Sequence, residues 1–520
     1  MPCKVPYGGA ANKFLENKLR RHREMRKLLC VAAAIAGIAG SVLTAQETDG
    51  VSFTPRFEIK YDNGAATELS TLFGMTFRFD SPEFTLLADL YLANDGKYSP
   101  LESNQSGGTF FDYYAFLNAG GLIWRPQQNL TFRAGRLEHR DQLDGPYSLF
   151  VSSVAPAALL MEIRYENDHF FYESRWVELN SRSAMYTAAY PKTDTDGDSN
   201  DESGPFPDRG ANVKAYGLKY GRMRFGLQDA AVYTGRSFDY EYFISPLPQY
   251  FTQYVKGTTG RPWTTDSNEN DIIGAFWDWQ YTDELMFEAQ YLLDDLNMHK
   301  LGVGPYNPWK AAWALRTKLK TEYGTFSLSH AGAFKYTFGP TRDRKSECYS
   351  YTYYPDSRFT IDDPSDSEIA FEDLMFGYKN GENNIAFRLD WENEWRTLRL
   401  ASYLEFMLSG AKSPTNAWHD DYWHDYEGGR LLDDDELEKR IVLSLGASKA
   451  IKDLTIMGSL LVGCAFNALE LTEPDAVTNS KYDTVNNNSW IWKPGDDNEL
   501  ILAASVGVKY AIPVTRMLKK

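Results

Sequence analysis

Past residue 50 the chain has no uninterrupted apolar run long enough to cross a bilayer as a helix, which excludes a helical membrane protein built from the bulk of the sequence. Cysteine is nearly absent. Of the 4 cysteines, Cys3 and Cys30 lie among the first 45 residues; Cys348 and Cys464 alone are too few for a disulfide scaffold, and sequence leaves open whether they pair or stay as thiols. Basic charge is scarce as well. The formal net charge is -17, and residues 1–45 hold eight Lys and Arg against two Glu, so the remainder stands near -23. A general nucleic-acid-binding surface is therefore excluded. No domain linker and no fixed internal repeat is visible, so a chain whose length alone would suggest about two to four soluble domains reads as one.

What the chain does have is aromatic side chains in a polar background. Phe, Trp and Tyr make up 15% of the residues while mean hydropathy is -0.46. That balance fits a large transmembrane barrel with a polar interior and aromatic rims, and fits equally a carbohydrate-binding β protein. Local patterning separates the two. In Glu499 to Tyr510, the residues Leu500, Leu502, Ala504, Val506, Val508 and Tyr510 form one apolar set, and Glu499, Ser505 and Lys509 fall in the other. The same period of two sets Ile385, Phe387, Leu389 and Trp391 against Ala386, Arg388, Asp390 and Glu392, and Leu285, Phe287, Ala289, Tyr291 and Leu293 against Glu284, Glu288, Gln290 and Asp294. Charges on the concealed side of a soluble core would be costly; they make sense if that side lines a hydrated lumen and the apolar side meets lipid.

Candidate strands come in pairs joined by short turns such as DNGAATE, DSPE and END, and are separated elsewhere by long polar excursions, among them 145–156, 193–209, 238–269, 346–368 and 410–438. Counting every candidate, including Tyr323 to Phe338 and Phe371 to Tyr378, gives 18 or 19. Even-numbered closure then predicts an all-β, closed antiparallel transmembrane β-barrel of about 18 strands, within a range of 16–20, with long extracellular loops. At the amino end, Arg26 and Lys27 precede LLCVAAAIAGIAGSVLTA, the layout of a signal peptide cut after Ala45, with Met25 as a natural start. The expected organisation is thus residues 1–45 as an extended N-terminus and cleaved signal peptide, and 46–520 as a single barrel in the bacterial outer membrane. Its expected partners are the surrounding lipid and the outer-membrane assembly machinery, with no nucleic acid.

Between residues 128 and 296 the chain carries an ordered set of features: Gly135-Arg136, Ala155-Pro156, Tyr233 with Gly235 and Arg236, Glu241-Tyr242 leading to Ser245-Pro246-Leu247, Asn270-Asp271 with Gly274, and Glu288 followed by Asp294-Asp295. In order and spacing this stretch resembles the Wzi-like capsule assembly protein family, which commonly shows Asn-Pro where this chain has Ser245-Pro246. The resemblance implies an outer-membrane barrel, of 18 strands in the best-known form, that binds or organises envelope or capsular polysaccharide, with surface polysaccharide or lipopolysaccharide as partner. Other classes fit the same barrel: a general or glycan-selective porin, a surface adhesin using the long loops, or an outer-membrane hydrolase.

Several residues are candidates for that work. Arg136, Arg224, Arg236, Glu241, Glu288 and Asp294 are expected in the lumen or against glycan, with Asp294 facing inward to pair with Arg224 or Arg236 and Asp295 beginning a turn. Arg164, Arg175, Arg388 and Arg399 beside Glu162, Glu173, Asp390 and Glu392 extend this to an ion-pair ladder, which either stiffens the wall or attracts anionic sugars. Trp418 and Trp423, in WHDDYWHDYEGG with His419 and His424, read as a sugar-stacking platform or a rim girdle; two histidines five apart have no standard zinc spacing. Asp194, Asp196, Asp198, Asn200 and Glu202 crowd hard oxygens around Gly197, the donor type Ca2+ uses, although the glycine position departs from an EF-hand and a soluble acidic loop is the alternative. No other cofactor is expected. Ser148, Ser152 and Ser153 lie near His139 and His169 without a nucleophile elbow, and Ser329 and His330 would face opposite ways on a strand, so no enzyme is expected.

Overall fold

The computed structural model describes residues 50–65, 67–96, 113–182, 207–256, 269–295, 308–339, 350–355, 357–359, 367–415, 429–472 and 491–513. The expected signal peptide, the acidic run 194–202, Trp418, Trp423 and Cys348 lie outside the described residues.

Eighteen strands form the wall: β1 (Val51–Asp62), β2 (Leu69–Asp80), β3 (Phe84–Ala93), β4 (Tyr114–Gln127), β5 (Leu130–Leu137), β6 (Ala158–Glu166), β7 (Phe170–Asn180), β8 (Arg209–Tyr220), β9 (Met223–Thr234), β10 (Glu269–Gln280), β11 (Leu285–Asp295), β12 (Lys310–Thr321), β13 (Gly324–Ala333), β14 (Asn384–Trp395), β15 (Leu398–Ser409), β16 (Glu438–Ile451), β17 (Leu454–Phe466) and β18 (Glu499–Tyr510). Each pairs antiparallel with the next. The last closes on the first, with Glu58 opposite Gly507 and Lys60 opposite Ser505. Closure leaves no unpaired strand edge, the condition for a sheet to span lipid.

Exposure decides which face meets which medium. Along β9 and β18, Leu227 and Val506 point outward and are 54% and 62% exposed, whereas the inward Glu405 and Arg175 are 8% and 4% exposed. A soluble protein would reverse that arrangement, since each such aliphatic side chain left in water forgoes about 1.5–3 kcal/mol. Beside the short turns of one rim, Trp124, Tyr165, Tyr220, Tyr281, Tyr323 and Trp395 are all exposed. Trp279 lies 6.0 Å from Trp277 and 4.8 Å from Tyr281, so this rim carries an aromatic girdle. Apolar belt, girdle and even strand number identify a bacterial outer-membrane barrel, with the short turns on the periplasmic side.

Two expected strand assignments are corrected. Tyr323 to Phe338 does not run as one strand: β13 ends at Ala333, and Tyr336 and Phe338 adopt positive φ of 75° and 73°, turning the chain into the barrel. Phe371 to Tyr378 is not a wall strand. It starts as one helical turn, Phe371–Leu374, and continues through the fully buried Met375, Phe376 and Tyr378 inside the lumen. It is the one candidate in excess of the eighteen wall strands, and its apolar and aromatic content reflects burial against other loops rather than contact with lipid.

Candidate functional site

The lumen is filled from one side by two segments that fold inward between strands. The first, residues 138–157 between β5 and β6, is organised by Asp141. Its carboxylate accepts the backbone N–H groups of Gln142 at 2.7 Å and Phe150 at 2.8 Å, and the side-chain amides of Gln228 on β9 at 2.7 Å and Gln290 on β11 at 3.1 Å. Burial pushes the Asp141 carboxyl above its usual range while these donors oppose the rise. Gly274 on β10 makes room for the plug, because a Cβ there would stand 2.9 Å from the Phe150 ring and 1.9 Å from the Tyr291 carbonyl oxygen.

The second segment, between β13 and β14, lies against the first. Tyr351 donates to the carbonyl of Phe150 at 2.8 Å, and Ser152 N–H donates to the carbonyl of Phe376 at 2.8 Å. Tyr353 Oη stands 2.8 Å from His139 Nε2. Burial, with Arg175, Arg133 and Arg140 close by, holds the His139 imidazole well below its usual titration range. Burial likewise raises the Tyr353 phenol. The tyrosine therefore donates and the neutral ring nitrogen accepts.

The inward-facing charges bolt these segments to the wall. Arg175 reaches Glu162 at 2.7 Å, bonds Glu173, and donates to the Arg140 carbonyl at 2.8 Å. Arg224 pairs with Asp278 at 2.7 Å and donates to the Gln142 carbonyl at 2.7 Å. Glu288 holds Arg316 and Lys318, and Arg316 reaches the Asp144 carbonyl at 2.9 Å. On β15, Glu405 receives Tyr147 and Lys379, both from the filling segments, at 3.2 Å each. Asp294 faces inward, but its expected partner is corrected: it lies 3.8 Å from Lys310 and accepts from Phe338 N–H at 3.1 Å, because both Arg224 and Arg236 are committed elsewhere.

Opposite the plug, the lining is small and open. The registers put Ser444, Gly446 and Ser448 of β16, Ser459 of β17, and Ser505 and Gly507 of β18 on the inward face, next to Glu58 and Lys60 of β1. Ser459 and Ser505 hydroxyls meet at 2.8 Å and are exposed. Lys509 at the periplasmic end, Ser459, and Lys60 and Glu499 toward the outer end are exposed to water, while Ile501 and Ala503 are half-buried and Gly507 is buried. Thr325, Glu392, Glu394, Arg399, Gly446 and Ser448 border a cavity of 580 Å³ in the periplasmic half.

Three of the expected lumenal residues lie elsewhere. Arg136 has the outward register, opposite Leu159, and donates to the Ala157 carbonyl at 3.2 Å. Arg236 and Glu241 belong to a loop that folds over the outside of the wall. There Asp239 caps a short helix, α1 (Tyr240–Ile244), by accepting from the N–H groups of Glu241 at 3.0 Å and Tyr242 at 3.1 Å. Arg236 pairs with Asp239 at 2.7 Å and Glu269 at 3.0 Å over the Tyr233 ring. A second helix, α2 (Gln249–Lys256), follows. Outward-facing wall residues hold this clip: Ser174 donates to the Phe243 carbonyl at 2.7 Å, Trp176 to Ser237 at 2.6 Å, and Lys214 to Ser245 and Leu247 at 2.7 and 2.9 Å. Ile244, Leu247, Tyr250 and Phe251 are exposed on its far side. Sequence reading missed these wall residues, although Asp229 following Met223, Phe225 and Leu227 in the same register is the mark of a lipid face that stops short.

No catalytic constellation is assembled by the candidate serines. Ser148 donates to the Leu143 carbonyl at 2.8 Å, and His330 on the outward face stacks on Phe387 with ring centres 4.4 Å apart while Ser329 points inward. Among the described residues, no three His, Cys, Asp or Glu side chains cluster in a metal-binding arrangement. Cys464 is a free thiol on β17.

No protein-family model and no curated sequence matches the chain. Solved structures do. It is similar to Wzi of Escherichia coli, described as an outer membrane protein involved in group 1 capsule assembly and a carbohydrate-binding β-barrel, with 10% identity, 89% of this chain and 85% of that chain covered, and a TM-score of 0.49. It is similar also to OccK8 (OprE) of Pseudomonas aeruginosa, with 11% identity, 89% and 98% covered and a TM-score of 0.43. With the outer membrane protein OprD of the same organism the figures are 9%, 89% and 93%, and 0.40. At such identities no residue role passes from one chain to another.

Proposed function

We propose that the protein is a constricted, porin-type passage for small hydrophilic solutes. The observation that carries this reading is the asymmetry of the lumen. Buried ion pairs and two packed segments fill the β5–β15 side, whereas on the β16–β18 and β1 side the inward Ser459, Glu499, Lys509 and Lys60 stay exposed and Ser444, Gly446 and Ser448 are half-buried. Small side chains on the inward face of a wall serve no packing purpose and leave bore. Serine hydroxyls offer both a donor and acceptors to a solute shedding part of its hydration, and the mixed charges Glu58, Lys60, Arg399 and Glu392 leave neither sign dominant. The plug narrows the bore and so sets selectivity by size and hydrogen bonding.

The test is conductance of the folded, full-length protein in planar bilayers. Discrete conductance steps are expected, and Ser459→Phe or Ser505→Phe, which fill the lane without touching the plug, should reduce them at least several-fold. A correctly folded, inserted barrel that stays electrically silent while retaining capsular or envelope polysaccharide would replace this reading with the organising role that the sequence resemblance implies.

A further inference from the structure

The clip outside the wall encloses a polar pocket that neither the lane nor the plug uses. Asp229 on β9 and Asp271 on β10 share the outward face with the lipid-exposed Leu227 and Phe225 but lie nearer the outer rim. The register sets Asp229 opposite Ile273 and Asp271 opposite Ala231, so the two carboxylates are diagonal neighbours on adjacent strands, roughly 7 Å apart at the backbone. Helix α2 closes over them. Gln249 N–H donates to Asp229 Oδ2 at 2.6 Å, and the Gln249 side-chain amide donates to the Asn212 carbonyl at 3.0 Å. Asn212 is opposite Ala231, so the Gln249 side chain lies across the row that continues to Asp271. One turn further along α2, Thr252 is buried and turned to the wall, ahead of Gln253, whose amide reaches the Glu269 carbonyl.

The oxygens in this pocket outnumber its donors. Asp229 Oδ1, both carboxylate oxygens of Asp271, Gln249 Oε1 and Thr252 Oγ1 are shielded from solvent and have no hydrogen-bond partner. Gln249 is completely buried, Asp229 is 2% exposed and Thr252 4%. Lys214 stands opposite Asp229 and its charge acts on both carboxylates, but its ammonium protons go to the Ser245 and Leu247 carbonyls, and Arg236 pairs with Asp239 and Glu269. Two carboxylates that share the charge of one lysine and have no donor for these oxygens form an incomplete arrangement, since buried charges are stable only when paired or coordinated.

We propose that this pocket is a Ca2+ site that fastens the clip to the outside of the barrel. Two carboxylates balance a divalent charge, and the glutamine and threonine oxygens are further hard ligands. Calcium accepts an irregular set of six to eight oxygens, whereas magnesium keeps several waters in a strict octahedron and suits a dry, irregular pocket poorly. The site uses none of the residues of the acidic run 194–202 and is independent of whether solutes pass through the lumen.

The experiment uses full-length protein in detergent, shown to be folded by heat-modifiable migration, stripped with EDTA and titrated with CaCl2 by calorimetry, with limited proteolysis of the clip as second readout. Saturable Ca2+ binding is expected, together with slower cleavage within 236–256. Asp271→Asn and Asp229→Asn should each weaken that binding at least tenfold and abolish the protection, and Thr252→Val, which leaves both charges in place, should weaken it several-fold. Absence of binding at millimolar Ca2+ overturns the proposal. So does binding that persists unchanged in both asparagine variants, as Ca2+ held by the acidic run 194–202 would.

Discussion

Tyr351 donates its hydroxyl hydrogen to the backbone carbonyl of Phe150 across 2.8 Å, and both residues are fully buried, so this phenol is one of the links between the two segments that occupy the barrel. Replacing Tyr351 with Phe leaves that carbonyl without this donor in a dry site. The expected cost is about 1–3 kcal/mol, read as a lower midpoint for release of the plug in denaturant, together with noisier conductance, while the wall itself keeps its heat-modifiable migration.

Arg175 lies between Glu162 and Glu173, with all three side chains under 5% exposed. Arg175→Met would leave Glu162 with Arg133 alone and Glu173 with Gln142 and the more distant Arg164, a loss of up to about 3–5 kcal/mol. Adding Glu162→Gln and Glu173→Gln should recover much of the loss. Equal stability of the single and triple variants would show that the network does not act as a unit.

The inner segments should loosen in acid. The folded state holds His139 neutral well below the usual value of 6.5, so below that pH the unfolded segment binds a proton that the folded one refuses. The stabilisation is complete above about pH 6.5 and is lost as pH falls, with a limiting slope of about 1.4 kcal/mol per pH unit. Protease accessibility of residues 138–157 should therefore rise between pH 7.5 and pH 5, and His139→Gln should flatten that dependence.

Adjacent residues on β18 should respond in opposite ways to the same substitution. Val506 meets lipid and Ser505 meets the lumen. Val506→Arg is expected to destabilise the inserted barrel by about 2–4 kcal/mol near the bilayer centre. Ser505→Arg should leave stability within the range of an ordinary surface change and shift ion selectivity toward anions.

The wall was legible in the sequence because alternation is enforced residue by residue: Ile385, Phe387, Leu389 and Trp391 face lipid, and Arg388 and Asp390 pair inside at 2.7 Å, as the pattern predicts. Alternation assigns a face but says nothing of what covers it. Phe371 to Tyr378 looked like a strand because burial inside a tube selects the same side chains as burial in lipid. Arg236 and Glu241 were expected in the lumen because charge suggests water, yet their loop folds back over the outer face. Ion-pair partners were the least legible part. Arg224 finds Asp278 directly across the β9–β10 ladder rather than Asp294, and that register depends on a connection of more than thirty residues.

The serine-lined lane straddles the junction of β18 with β1. A cylinder of this kind is zipped shut only when its first and final ribbons meet, so every contact behind the ion-paired plug can form while this lane is still half a groove. The lining beside this seam is thus the last part of the wall to be completed. Defects that spare the interior yet hinder that final seam should yield protein with a well-formed stopper and no hole beside it.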